Sequence, residues 1–535
     1  MKRRELIALV ATSLLVVSCG NSNKNADDYD KNWQPGAYAL DDADQPTIKN
    51  PQGKYNELGK MRKTQGKAGL PQQGSANILV VPIEFSDDKS NGYNFASSDI
   101  NRLNEIYFEH EGTTTSLPSV AGYYSESSYG KLNLSGVVAP TVKLEASFVD
   151  YIYDSLYFGT EYVVKEITDY VYDWLFEDTE TYYLKDFDAD DDGKIDALAL
   201  NYSWFAAEAY YEYEMYSYVT ELLTNDVFFA SELGTESPVN SVAWTSGRTS
   251  EITGIKYDSH IAISQTGLMM GIEDYRDSTG TFDGFVRAPL AHRDMMDGYI
   301  GDHNPFTKYQ MGWIEPTKVV ASQIEDAKKY TLKPFNETGE VLMLSPEETG
   351  LYGEYLMVEF YTPTDLNGPD AIQTYAYNLY GNNTYSERGI RVYKVDSRLV
   401  EGTSASDVEF ADGNPDFEKE LTLGNGKKTK AYYDYAFSNN GTNEYSNSGI
   451  YEDYPLVEEL SKNGFNRHMT DTTFALSNDD LFLEGDAFGK EGDIAGFYTD
   501  FALDGNGSGD LKLGLTFTVD SISKDEAMIT VRRAK

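Results

Sequence analysis

The most pointed chemistry in this 535-residue chain is written in carboxylates. In "DFDADDDGKID" (Asp186–Asp196), Asp188, Asp190 and Asp192 stand at loop positions 1, 3 and 5. Gly193 follows at 6, Lys194 offers a backbone carbonyl at 7, and Asp196 stands at 9. Alternate carboxylates followed by a glycine curl a chain around calcium, a hard cation that takes oxygen ligands. Position 12 is Ala199, not the bidentate glutamate of a complete EF-hand. The expectation is therefore a calcium loop closed by other residues. A solvated acidic turn is the plainer alternative; the spacing and the glycine favour calcium.

A second stretch, "IAISQTGLMMGIEDYRD" (Ile261–Asp277), has the outline of a zinc-peptidase helix. That motif reads His-Glu-x-x-His-x-x-Gly-x-x-His/Asp. Gly271 and Asp274 fall at its last two fixed positions, whereas Ser264, Gln265 and Leu268 stand at the first three. Two histidines four apart present both rings to one metal. The intervening glutamate takes a proton from the metal-bound water, which zinc makes acidic. Ser264 is a poor zinc ligand, Leu268 offers nothing, and Gln265 keeps the shape of glutamate without its basic oxygen. No catalytic residue and no zinc are expected here. The chain has five histidines. His260 lies one turn before Ser264, about 6 Å along a helix axis. A site shifted to His260 and Asp274 would still need a new general base. His260 and His303 read instead as hydrogen-bonded scaffold imidazoles. His260, His292 and His303 stay open as ligands of a residual metal site.

The elements that must position these residues are legible in part. "NILVVPIEF" (Asn77–Phe85) and "DALALNYS" (Asp196–Ser203) are apolar, β-branched runs that predict buried strands. "SSDINRLNEIYF" predicts a helix capped by Ser97 or Ser98, with Ile100, Leu103 and Tyr107 on one face. "EYVVKEITDYVYDWLF" predicts another, with Val163, Ile167, Tyr170 and Trp174 facing inward. "SHIAISQTGLMMGI" predicts a long apolar helix ended by Gly271. From about Val319 onward, short alternating runs separated by Gly, Asn and Asp predict an all-β sandwich of one or two units.

The N-terminus, "MKRRELIALVATSLLVVSCG", has a basic start, an apolar run too short to span a membrane, and a small residue before Cys19. Val16-Val17-Ser18-Cys19 resembles the bacterial lipobox, which implies acylation of Cys19 and a lipid anchor on the outer face of the cell membrane. Cys19 is the single cysteine, so no internal disulfide can form. A net charge of −43 makes nucleic acid an improbable partner, because phosphates would be repelled. The expected organisation is a signal peptide at 1–18, a tether at 19–75 with a short ordered end, a catalytic-type α/β domain at 76–318 and a β-rich region at 319–535.

Five segments come in one order: "SLPSVAGYYSESSYGKLNLSG", "DFDADDDGKIDALAL", "SHIAISQTGLMMGIEDYRD", "RDMMDGYIGDHNPFTKYQMGWIEP" and "RGIRVYKVDSRL". Together they resemble the immune inhibitor A family of secreted zinc metallopeptidases, over about Ala76 to Leu399. The resemblance implies a metzincin-like α/β peptidase fold with a Met-turn at Met295 or Met296. It also implies an acidic calcium loop before the active-site helix, and β-rich accessory domains. Carried over, Ser264 and Leu268 stand where the family has two zinc histidines, Gln265 at the catalytic glutamate and Asp274 at the third ligand. The expectation is a cell-surface pseudopeptidase that binds an extracellular peptide or protein. An active metalloendopeptidase with an atypical metal site and a structural or adhesive surface protein are the alternatives.

Overall fold

The run around Asn77–Phe85 folds as β1 (Gly74–Glu84), near the middle of a largely parallel sheet. β1 pairs in parallel with β2 (Leu132–Val138), β3 (Val142–Lys143) and β4 (Leu198–Tyr202). Beyond β4 lie a parallel β6 (Ser241–Ser246) and, at the edge, an antiparallel β5 (Asp226–Phe229). The sheet order is β2-β1-β4-β6-β5. The computed structural model describes residues 51–204, 225–234, 236–275, 277–282, 285–287, 289–375, 383–402, 419–422, 428–435, 456–462, 476–489, 500–501 and 511–534. Cys19, the signal segment, His468 and residues 19–50 of the expected tether lie outside the described residues. Among the described residues no helix is long and apolar enough to cross a membrane.

Side chains alternate across a strand, so β1 feeds two cores. Ala76, Ile78 and Val80 pack with α2 (Ser97–Asn104), α3 (Val120–Ser127) and α6 (His260–Met269). Leu79, Val81 and Ile83 pack on the opposite face with α4 (Phe148–Phe158) and α5 (Thr160–Tyr172). Both faces are covered, which is why β1 and β4 read as continuous apolar runs rather than alternating ones.

The second half is β-rich. A five-stranded sheet runs in the order Val457–Leu460, Gly389–Asp396, Glu354–Tyr361, Val341–Ser345, Thr317–Val320. Leu342, Leu344, Leu356, Val358 and Val392 on one of its faces share a core with Phe517, Val519, Ile529 and Val531 of a four-stranded sheet, so the two sheets form a sandwich. Met343, Tyr355, Met357, Tyr393 and Val395 on its other face join the core that holds α6. The chain is thus a mixed α/β protein in which a β-rich region packs against the helix carrying Ser264.

Three local expectations are corrected. Helix α2 is preceded by Ala96 at the cap position, and Asp99 accepts the Ala96 N–H at 2.8 Å, so neither serine caps it. Helix α5 buries Val163, Val164, Ile167 and Val171, followed by Leu175, whereas Tyr170 is exposed and Trp174 half-buried. A π-type turn over Asp173–Asp178 follows α5, and its wider pitch shifts the buried face relative to a 3.6-residue repeat. Residues 51–75 hold more structure than the end of a tether: α1 (Glu57–Thr64) buries Leu58 and Met61, and Leu70 is buried beside them. Their apolar positions are too sparse for periodicity to show.

Candidate functional site

Helix α6 forms where predicted and is buried on nearly all sides, from His260 through Gly267. Gly271, with φ +83°, stands just past it in the left-handed conformation that ends helices. The segment beneath the helix is α7 (Met295–Gly298), whose cap Asp294 accepts the Met296 N–H at 2.8 Å. Asp294 also accepts the Asn304 N–H and side-chain amide at 2.7 and 3.0 Å. Burial raises the Asp294 carboxyl to about 6 against those hydrogen bonds. Met296, rather than Met295, reaches the helix: its Sδ is 3.9 Å from Ser264 Oγ. A side chain on Gly267 would meet that sulfur and the Tyr124 hydroxyl at 2.9 Å each, so a larger residue there would have to displace those side chains. Tyr124 donates to the Ile263 carbonyl at 2.7 Å, and the Tyr275 N–H donates to the Met296 carbonyl at 3.0 Å. Asp274 is half-buried between Gly271 and that anchored tyrosine.

The residues at the metal positions are occupied with the protein itself. Gln265 Nε2 donates to the backbone carbonyls of Asp226 on β5 and Trp244 on β6, each at 3.3 Å. Its Oε1 is buried without a hydrogen-bond partner. Ser264 is buried against Met296, and half-buried Leu268 packs on the core. A hydroxyl on a thioether, an amide on two carbonyls and an alkyl group do not fit zinc.

His260 is fully buried between two carboxylates. Its Nδ1 lies 2.8 Å from Asp258 Oδ1 and its Nε2 3.1 Å from Asp370 Oδ1. Asp370, on α8 (Gly368–Ile372), comes from the β-rich half. Tyr375 stacks on the imidazole at 3.9 Å and donates to Asp258. Burial opposes charge on the ring, but Asp370 and Asp258 prevail and raise its pKa to about 10. Both nitrogens are engaged, so His260 serves as a cationic clamp between α6 and α8. His292 Nδ1 faces the Asp297 carbonyl at 3.2 Å. His303 corrects the expectation of a hydrogen-bonded imidazole: it is buried among Tyr123, Tyr124 and Trp313 with neither ring nitrogen hydrogen-bonded, and burial, then Lys308, holds its pKa well below the usual imidazole value. These three histidines are not brought together with Asp274 in any group of converging ligand atoms among the described residues.

The acidic loop is the opposite case. Oxygens of Asp188, Asp190 and Asp196 all lie within 4.8 Å of one another, the only such group of three among the described residues. That is the span of a calcium coordination sphere, whose ligands sit about 2.3–2.6 Å from the ion. Asp188 accepts the N–H groups of Asp192 and Gly193 at 3.1 and 2.8 Å, which curls the loop. Asp196 is buried; one oxygen accepts the Ala189 N–H at 2.8 Å, and the other, Oδ1, has no hydrogen-bond partner. Burial raises its carboxyl well above the usual range. Asp192 turns aside, accepting from Asn240 at 3.0 Å and from the Lys194 N–H at 2.9 Å. It is not among the three converging carboxylates.

Sequence reasoning missed Lys63. Its ammonium ion-pairs with Asp190, and with Asp192 at 3.0 Å. The preceding Arg62 pairs with Glu273, beside Asp274. Helix α1 therefore braces the acidic loop to the end of α6. Asp258 and Asp370 were also missed, since nothing local marks them as partners of His260.

No family model and no curated protein matches the chain. The functional reading therefore rests on geometry and on the motif resemblance.

Proposed function

We propose that this chain is an extracellular lipoprotein of the immune inhibitor A type, built on a metzincin-like scaffold whose zinc chemistry has been lost. Its remaining role is to bind a peptide or protein. The observation that carries the reading is Gln265. At the general-base position, its amide is spent on two strand carbonyls, and a carboxylate there would face those carbonyls with no proton to share. Ser264 over Met296, Gly271 and the Tyr275–Met296 link support a scaffold kept after its ligands changed. In the same reading, Asp188, Asp190 and Asp196 hold calcium. The ion would supply positive charge to the buried Asp196 oxygen and fix the loop between β4 and α1; it supplies structure, not chemistry.

The test is to rebuild the site. The triple variant Ser264→His, Gln265→Glu, Leu268→His is expected to take up one zinc per chain, measured by metal analysis after dialysis, while the wild type takes up none. Two histidines without glutamate would bind metal but lack the base. Chelator-sensitive proteolysis of an unfolded substrate by the wild type, surviving Gln265→Ala but abolished by a His260→Ala variant that still unfolds cooperatively, would overturn the reading and move the active centre one helical turn.

A further inference from the structure

The sheet face opposite α6 is covered by the α4–α5 hairpin, and its outer surface is not made like an ordinary solvated helix pair. Tyr157, Phe158 and Tyr162 are 54%, 61% and 46% exposed at the hairpin tip. Phe158 and Tyr162 lie with ring centroids 5.0 Å apart. Large aromatics gathered in one exposed place mark contact surfaces more often than chance scatter does. The hairpin as a whole is acidic. Residues 144–184 carry ten carboxylates and one lysine, Lys165, and that lysine is already paired with Asp169. The Glu161 carboxylate lies over Gly159, the residue that joins the two helices. Glu166 and Asp154 crowd the Tyr151 hydroxyl, whose pKa burial and then these carboxylates raise.

We infer that the tip of the 148–172 hairpin is a docking surface for a cationic, arginine-bearing peptide segment. Two chemistries converge there. Exposed ring faces attract a cation through their quadrupole, and Arg stacks on them better than Lys because its guanidinium is planar. Surrounding carboxylates attract the same charge and steer its approach. An anionic membrane surface would be repelled by those carboxylates, and an uncharged apolar partner would leave them desolvated without counter-ions. Only a cationic occupant satisfies both halves of the surface. This inference is independent of the reading of Ser264–Asp274, which lies on the other side of the sheet.

The experiment measures fluorescence anisotropy of labelled octa-arginine and octa-lysine with the full chain, at physiological and raised salt. Octa-arginine is expected to bind several-fold tighter than octa-lysine. Tyr157→Ser with Phe158→Ser and Tyr162→Ser, which leaves the charge untouched, should weaken octa-arginine about tenfold. Glu161→Gln with Glu166→Gln should weaken both peptides. Glu325→Gln with Asp326→Asn, an exposed acidic pair elsewhere, should change neither by more than about twofold. All the substituted side chains are exposed, and unchanged melting curves verify folding. Absence of octa-arginine binding overturns the inference. So does equal binding of the two peptides, an aromatic variant that binds like wild type, or binding to phosphatidylcholine vesicles in place of octa-arginine.

Discussion

The acidic loop and the α6 face are the two places where the chain resembles a metal protein, and they differ in what their polar atoms touch. At α6 the candidate ligand positions have found partners inside the fold: Gln265 on two carbonyls, Ser264 on a thioether, His260 between two carboxylates. In the loop, three carboxylates converge; a buried oxygen without a hydrogen-bond partner occurs in both places, Asp196 Oδ1 here and Gln265 Oε1 at α6, but only the Asp196 oxygen sits in a group of converging carboxylates. Buried polar groups are normally satisfied, and an exception calls for an explanation such as an ion. The loop gathers carboxylate oxygens around one point, whereas the polar groups of the α6 face are turned toward other parts of the fold. The contrast also has a sign. The clamp at α6 sets one cation, His260, between two carboxylates, whereas the loop has five aspartates with Lys194 and, from α1, Lys63.

The most severe way to break the contrast is to remove the internal cation at α6. His260→Leu leaves Asp258 and Asp370 buried without their positive partner, and should cost about 3–5 kcal/mol of stability, read by denaturant unfolding. The pH dependence sharpens it. A ring raised to about 10 in the folded state stabilises the fold fully below the ordinary imidazole value near 6.5. That contribution fades as pH climbs from there through about 10. Wild type minus His260→Gln stability should therefore fall across that window. A flat difference would mean that the imidazole is neutral and the clamp is only a pair of hydrogen bonds.

The loop should respond to metal where α6 does not. Chelation is expected to lower the melting temperature of the wild type, because an ion present at a hundred times its dissociation constant stabilises the folded state by about 2.7 kcal/mol. Asp190→Asn with Asp196→Asn should lose that response, and His260→Leu should retain it. Equal sensitivity to chelator in wild type and loop variant would leave only an acidic turn.

How much of this was legible in the sequence follows from how local each feature is. The loop's carboxylates alternate within nine positions, so spacing alone exposes them. Strands β1 and β4 are legible because both their faces are buried. Ser264, Gln265 and Leu268 are legible as a set because a helix turn fixes their relation to Gly271. The partners are not. Lys63 reaches Asp190 from 127 residues away, and Asp370 reaches His260 from 110. No pattern within a window of a helix or strand carries such a pairing. The inward face of α5 was misread because Tyr and Trp count as apolar in a periodic pattern, although their large amphipathic rings also stand comfortably half in water.

The smallest effect separates geometry from charge at Gln265 itself. Gln265→Glu keeps the shape but exchanges an amide that donates to the Asp226 and Trp244 carbonyls for a carboxylate that can only accept. Three acceptors then face one another in a buried place, and the expected cost is about 1–3 kcal/mol at neutral pH. The cost should shrink as pH falls and the carboxyl gains a proton, since the protonated acid can donate to one of the two carbonyls. Gln265→Met, which removes the donor and the unpartnered oxygen together, leaves two strand carbonyls without this donor and should cost less than the glutamate. If glutamate is tolerated as well as glutamine at every pH, the amide is not what closes the site. The α6 face would then be a pocket still open to a cation, and the difference between it and the acidic loop would be one of occupancy rather than of construction.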